Sequence, residues 1–143
     1  SYKRLVDGYW APTKVTWGVD NRTTAFRTID AGPKATRLET RVPGSDVNPY
    51  LAIAACLAAG LHGVEKKLDL RDAPVEGSAY LSKAERLPRN LMDATRKMAD
   101  SKLARELFGA EFVEHYVATR EWEWRQYQDA VTDWEMRRYF EII

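Results

Sequence analysis

Residues 17–51, WGVDNRTTAFRTIDAGPKATRLETRVPGSDVNPYL, constrain this chain more than any other stretch. Two segments rich in Thr and Arg flank Asp30-Ala31-Gly32-Pro33, and the stretch ends on Asn48-Pro49 ahead of a long apolar run. β-Branched and aromatic residues favour strands, whereas Gly and Pro end them. The spacing predicts strands over 22–29 and 36–42, and the short connection makes an antiparallel pair the simplest arrangement. A further strand is predicted over 13–17, with a turn over 18–21. Side chains alternate along a strand, so Arg37, Glu39 and Arg41 share one face while Leu38, Thr40 and Val42 share the other. Arg22 and Arg27 are five positions apart and fall on opposite faces of a regular strand. Either Arg22 belongs to the preceding loop or a bulge intervenes.

From Asn48 onward, helix signals dominate. Asn48 can cap a helix whose first residue is Pro49. Ile53, Leu57, Leu61, Val64 and Leu68 form a stripe at spacings of three and four, so a helix buried on most sides is expected, with Cys56 as a buried, inert thiol. Residues 69–88 mix Asp, Pro, Gly and Ser and predict a loop with one helical turn near Ser82. Asn90 caps a predicted helix through Asp100 that places Leu91, Thr95 and Met98 on one face. Ser101 caps another, which Gly109 ends. From Ala110 to the last residue there is no Gly or Pro, and Val113, Tyr116, Val117, Trp124, Tyr127, Val131 and Trp134 fall on one stripe. This predicts a long amphipathic helix with a bend near Val131-Thr132. The expected fold class is α+β: short antiparallel strands, then a helical C-terminal half.

A length of 143 residues suits one domain. With 22 basic and 21 acidic side chains the net charge is +1, which implies no general attraction to nucleic acid or to an anionic membrane. Anion binding must then be local. His62 and Glu65 interrupt the longest apolar run, so no membrane span is expected. One cysteine and no signal peptide fit a reduced, cytoplasmic protein. No glycine-rich phosphate loop or Cys/His metal spacing occurs, and His62 and His115 are expected to be structural or surface groups. The opening SYKRLVDGYWAP lacks an initiating Met and reads as the middle of a longer protein.

The charged strand admits two interpretations. Alternating Arg, Glu and Arg can be a salt-bridged, solvated sheet face. Alternatively, Arg22, Arg27 and Lys34 join Arg37 and Arg41 to hold a polyanion, because guanidinium forks bind carboxylate and phosphate oxygens two at a time. Glu39 among them would then face the phosphates through Mg²⁺ or Mn²⁺.

At these residues the chain resembles the C-terminal part of the catalytic domain of glutamine synthetase and of the related ligases that join glutamate to amines. The resemblance lies in SYKRL, APTKVTWGVDNRTTAFR and PKATRLETRVPGSDVNPYLAIAACLAAGLHGVEKK, and more loosely in GSAY, LPRNL and VTDWE. It implies that residues 1–143 are one portion of such a domain, with the N-terminal domain and further metal-binding glutamates upstream. It implies that Arg4 and Arg41 hold L-glutamate, that Arg22 sits at the reacting carboxylate and the transferred phosphoryl group, that Arg27, Lys34 and Arg37 join it on ATP, and that Glu39 is one metal ligand. The implied reaction is ATP-dependent: glutamate is phosphorylated to γ-glutamyl phosphate, and ammonia or an organic amine displaces phosphate, a step of nitrogen metabolism. Ring-shaped, dodecamer-like homo-oligomers with sites between subunits are implied too. One carboxylate cannot fill the roughly six oxygen positions a hard cation takes, so this polypeptide alone is expected to be inactive.

One departure bears on the substrate. Ordinary glutamine synthetases carry a glutamate in the loop after SYKRL that helps bind and deprotonate ammonium, and Trp10 aligns there. An indole suits an organic amine, through cation–π contact; alternatively Trp10 packs in its loop and ammonia remains the substrate. Two readings outside the ligase class also stand: a non-catalytic homologue that senses nucleotide or glutamate, and a helical interaction module whose charged sheet is solvated.

Overall fold

The computed structural model describes residues 2–142; Ser1, the first residue of the SYKRL motif, and Ile143 lie outside them. The chain forms two compact units that divide between Arg89 and Asn90.

The first unit opens with a single 3-10 turn, Tyr2–Arg4, and carries three strands, β1 (Trp17–Val19), β2 (Phe26–Ile29) and β3 (Arg37–Thr40), in the order β1-β2-β3. β2 and β3 pair antiparallel across the Gly-Pro turn as expected, with Arg27 opposite Glu39 and Thr28 opposite Leu38. Two expectations are corrected. Residues 13–17 are not a strand of the sheet: Lys14 makes an isolated antiparallel bridge to Arg86, and β1 begins at Trp17. β1 then runs parallel to β2, with Trp17 opposite Phe26. Parallel neighbours ordinarily need a crossover of a dozen or more residues. Here residues 20–25 turn the chain back within one loop, so Arg22 lies in that loop and no bulge is needed.

Side-chain hydrogen bonds make so short a crossover possible. Asn21 Oδ1 accepts from the Thr23 amide (3.0 Å) and the Thr23 hydroxyl (2.7 Å), and the Thr23 hydroxyl accepts from the Ala79 amide (2.9 Å). Thr24, fully buried, places its hydroxyl 2.8 Å from the carbonyls of both Asn21 and Phe26. The core is accordingly one of small residues: Ala11, Pro12, Thr13, Thr16, Thr23, Thr24, Ala25 and Ala79 are buried. A core this poor in apolar volume depends on its polar groups being paired.

Helix α1 (Pro49–Glu65) starts as expected, Asn48 Oδ1 accepting from the amides of Tyr50 and Leu51. Its expected burial is overturned. No residue of α1 is buried, Ile53, Leu57 and Leu61 are about 60% exposed, and Cys56 is exposed, its sulfur 3.6 Å from the Thr40 hydroxyl. Caps and an alanine-rich sequence suffice to form the helix, and no other described element covers its stripe. A 3-10 turn, Ala79–Leu81, interrupts the long loop near Ser82.

The second unit is helical: α2 (Leu91–Asp100), α3 (Lys102–Phe108), α4 (Ala110–Asp129) and α5 (Asp133–Tyr139). Asn90 caps α2 through the Asp93 amide and Ser101 caps α3 through the Ala104 amide. Gly109, at φ 85°, separates α3 from α4. α2 and α3 pack on α4, where Val113 is fully buried, and Thr95 of α2 is buried as well. The single long helix expected after Ala110 is in fact two. Thr132 and Glu135 form a reciprocal capping box that starts α5 afresh, and the far end of the stripe, Tyr127, Val131 and Trp134, is exposed. Among the described residues no helix is long and apolar enough to cross a membrane.

Candidate active site

The charged groups of the first unit converge because register and loop geometry bring them together. Arg27 and Glu39 are cross-strand partners, so they share a face, and Arg27 Nη1 donates to Glu39 Oε2 (3.1 Å). Arg41 lies two positions beyond Glu39 on the same face and donates from Nη1 to Glu39 Oε1 (2.7 Å). Its amide continues the ladder to the Ala25 carbonyl (2.9 Å). The rest of the Arg41 guanidinium ties two loops to the sheet: Nε donates to the Arg22 carbonyl (3.1 Å) and Nη2 to the Trp10 carbonyl (2.8 Å). Trp10 occupies the left-handed region, at φ 56°, a costly backbone for a bulky residue, and its indole is two-thirds exposed. Arg4 is tied to the chain just beyond β3, its Nη2 donating to the Val42 carbonyl (2.6 Å) and lying 3.2 Å from the Arg41 and Pro43 carbonyls.

Two cavities meet at these residues. The smaller, about 390 Å³, is lined by Trp10, Arg22, Arg27, Glu39 and Arg41. Three arginines and one glutamate line it, a formal excess of two positive charges. The larger, about 620 Å³, shares Trp10, Arg22 and Arg27 and adds Asp20 and the strap Pro74-Val75-Glu76-Gly77. That strap is pinned to β1: the Val75 amide donates to the Trp17 carbonyl (2.9 Å), and Asn21 Nδ2 donates to the carbonyls of Val75 (3.0 Å) and Gly77 (2.8 Å). A Cβ on Gly18 would come within 2.9 Å of the Val75 carbonyl oxygen, so only glycine admits the strap at this distance.

The electrostatics sort the charged groups into paired and free. Asp20, whose carboxylate is in close contact with Arg27, does most to raise the pKa of that guanidinium further, and Glu39 adds to the effect. Burial is the strongest single influence on Glu39 and pushes its pKa up, but Arg27 and Arg41 together outweigh it and hold the carboxyl below the usual range. Arg22 differs: among the described residues its guanidinium has no side-chain partner, although it lines both cavities.

Of the residues singled out from sequence, the fold therefore brings Trp10, Arg22, Arg27, Glu39 and Arg41 to one place, while Arg4 lines neither cavity and bonds to the carbonyls of Arg41, Val42 and Pro43. Lys34 and Arg37 line neither cavity; Arg37 pairs with Ile29 at the opposite end of the ladder and donates to the Ala35 carbonyl (2.9 Å). Asp20, Asn21 and Glu76 were missed. An Asn two residues before a Thr marks a side-chain turn, but its bonds to Val75 and Gly77 span more than fifty positions and leave no local signal. As a metal site the residues do not suffice. Both Glu39 oxygens are engaged by arginines, and among the described residues no group of three His, Cys, Asp or Glu side chains is placed to hold an ion. Glu39 can supply at most one carboxylate to a cation completed from elsewhere.

An arginine-rich cavity in which, among the described residues, one guanidinium has no side-chain partner has the charge to suit anions. The chain belongs to the family of the glutamine synthetase catalytic domain, whose model matches residues 1–139. It is 58% identical over its whole length to a type-1 glutamine synthetase of Dictyostelium discoideum, of which it covers 28%. It is 48% identical over 99% of its length to a gamma-glutamylethanolamide synthetase of Streptomyces coelicolor, covering 30% of that protein, and 44% identical over its whole length to a glutamate–isopropylamine ligase of a Pseudomonas species, covering 32%. The chain thus spans about a third of the length of the curated relatives it matches. Among solved structures, a GmaS/ADP complex superimposes at a TM-score of 0.77 with 36% identity, over 94% of this chain and 31% of that one. A Plasmodium falciparum glutamine synthetase, at a TM-score of 0.75 and 18% identity over 97% of this chain and 36% of its own, shares the fold.

Proposed function

We propose that the chain is the C-terminal portion of the catalytic domain of an ATP-dependent ligase that joins the side-chain carboxylate of L-glutamate to an amine through γ-glutamyl phosphate. The observation that carries this is Arg22, a residue that lines both cavities and whose guanidinium has no side-chain partner among the described residues, in a chain of this family. A glutamate oxygen attacks the terminal phosphorus of ATP and ADP departs; the amine nitrogen then attacks the acyl carbon and phosphate leaves. Each step brings anions together or moves negative charge, so a fixed cation facing the transferred group lowers the barrier. Arg22 has all its side-chain donors to spare for that task, whereas Arg27 and Arg41 commit part of theirs to Asp20, Glu39 and the two loop carbonyls and keep the rest for ligand. Arg4 and Arg41 serve the glutamate side, and Arg27, Lys34 and Arg37 the nucleotide side. Divalent-metal chemistry, which would shield the phosphates, requires more carboxylates than Glu39, and activity and ring assembly belong to the longer protein.

Trp10 favours an organic amine over ammonia as acceptor. The relatives named for ethanolamide synthesis and for isopropylamine ligation support that branch; the relative named as a type-1 glutamine synthetase leaves ammonia as the competing acceptor. The test is ADP release by the full-length protein with glutamate, ATP and Mg²⁺ against ammonia, ethanolamine and isopropylamine. Turnover with an organic amine and little with ammonia is expected, and Trp10→Glu should move the preference toward ammonia. Efficient turnover with ammonia alone would make the acceptor assignment wrong.

A further inference from the structure

Glu76 is the one carboxylate lining either cavity that has no side-chain partner among the described residues. Asp20 is held by Arg27, and Glu39 by Arg27 and Arg41. Among the described residues, the larger cleft is therefore lined by one arginine, Arg22, and one glutamate, Glu76, whose charged groups have no side-chain partner, and Trp10 lines it as well. A cleft so furnished suits two reactants of opposite charge. Glu76 is also firmly placed: Asn21 takes the carbonyls on either side of it, those of Val75 and Gly77, so the backbone that carries the carboxylate is fixed to the loop that carries Arg22.

We propose that the larger cleft receives the acceptor amine as its aminium ion and that Glu76 is the carboxylate that holds it and takes its proton. This rests on the ligase function proposed above and adds the group that selects for a charged amine. Alkylamines, like the lysine side chain at about 10.4, are protonated at neutral pH and have no lone pair to offer. The aminium ion pairs with Glu76 and lies against the Trp10 ring, which attracts cations. One N–H proton passes to the Glu76 carboxylate, freeing the lone pair. Nitrogen bonds to the acyl carbon, the carbon–oxygen bond to phosphate breaks with its electron pair leaving on phosphate, and the second N–H proton departs with that phosphate.

The experiment compares full-length wild type, Glu76→Gln and Glu76→Asp with ethanolamine and with hydroxylamine, an amine that is neutral at pH 7. Glu76→Gln should raise the KM for ethanolamine about tenfold and lower kcat with it, leave the KM values for glutamate and ATP unchanged, and leave turnover of the already neutral hydroxylamine intact, with Glu76→Asp retaining part of the wild-type behaviour. An equal loss with both amines, or no loss with either, overturns the role of Glu76 and leaves the ligase standing. A wild type that releases no ADP with glutamate and any amine overturns the ligase function, and this inference with it.

Discussion

The two units of the chain are held together by different means. In the first, the buried residues are alanines, a glycine, a proline and threonines, and order comes from side chains bonded to backbone: Asn21, Thr23, Thr24 and Arg41 together fix four stretches of chain. In the second, caps start the helices and a buried aliphatic residue, Val113, holds α4 against its neighbours, with Phe112 stacked on Tyr116 and tilted against Phe108, both at a centroid spacing of 5.8 Å. Apolar packing tolerates reshaping, whereas a hydrogen-bonded frame sets the positions of its donors and acceptors. The unit that carries the cavities is the one built to hold positions.

Substitutions can break this contrast or sharpen it. The largest effect is expected on turnover: Arg22→Ala in the full-length protein should lower kcat by about a hundredfold or more, with the thermal midpoint unchanged because the guanidinium supports nothing structural; a matching loss of stability would show that Arg22 belongs to the frame. Next, Asn21→Ala removes four hydrogen bonds and should destabilise by about 3 kcal/mol in urea unfolding, at the same time loosening the Glu76 strap. Val113→Ala in the helical unit should cost about 2 kcal/mol yet leave the KM values untouched, which separates packing from positioning. The smallest effect is with pH. The Glu39 carboxyl is held below the ordinary glutamate range, so its ion pairs stabilise the folded chain above that range and are lost as pH falls through the lowered value. Melting curves from pH 6 downward should therefore show the wild type losing its advantage over Glu39→Gln in acid, and parallel curves would refute the ion-pair assignment.

The same division separates the features legible in the residues from those that were not. The caps at Asn48, Asn90 and Ser101 and the stop at Gly109 are local chemistry, and all four stand where the spacing placed them. The shared face of Glu39 and Arg41 comes from strand alternation, and five-residue spacing was enough to question Arg22 as a strand residue. The parallel pairing of β1 with β2 was hidden because alternation carries no strand direction. The exposure of α1 was hidden because an apolar stripe says that a cover is favourable and not which segment supplies it. Glu76 was hidden because nothing near it in sequence marks the strap that Asn21 holds.

The Arg41 clamp has a consequence for how such a site can change. Arg41 takes hold of position 10 by its carbonyl oxygen, a bond that does not depend on which side chain stands there. The main chain there is the fixture and the side chain an interchangeable tool mounted on it. A different side chain at position 10 leaves the three-way anchorage of loop, sheet and carboxylate as it is, so the wall of both cavities can be refaced there without the arginine framework having to be rebuilt.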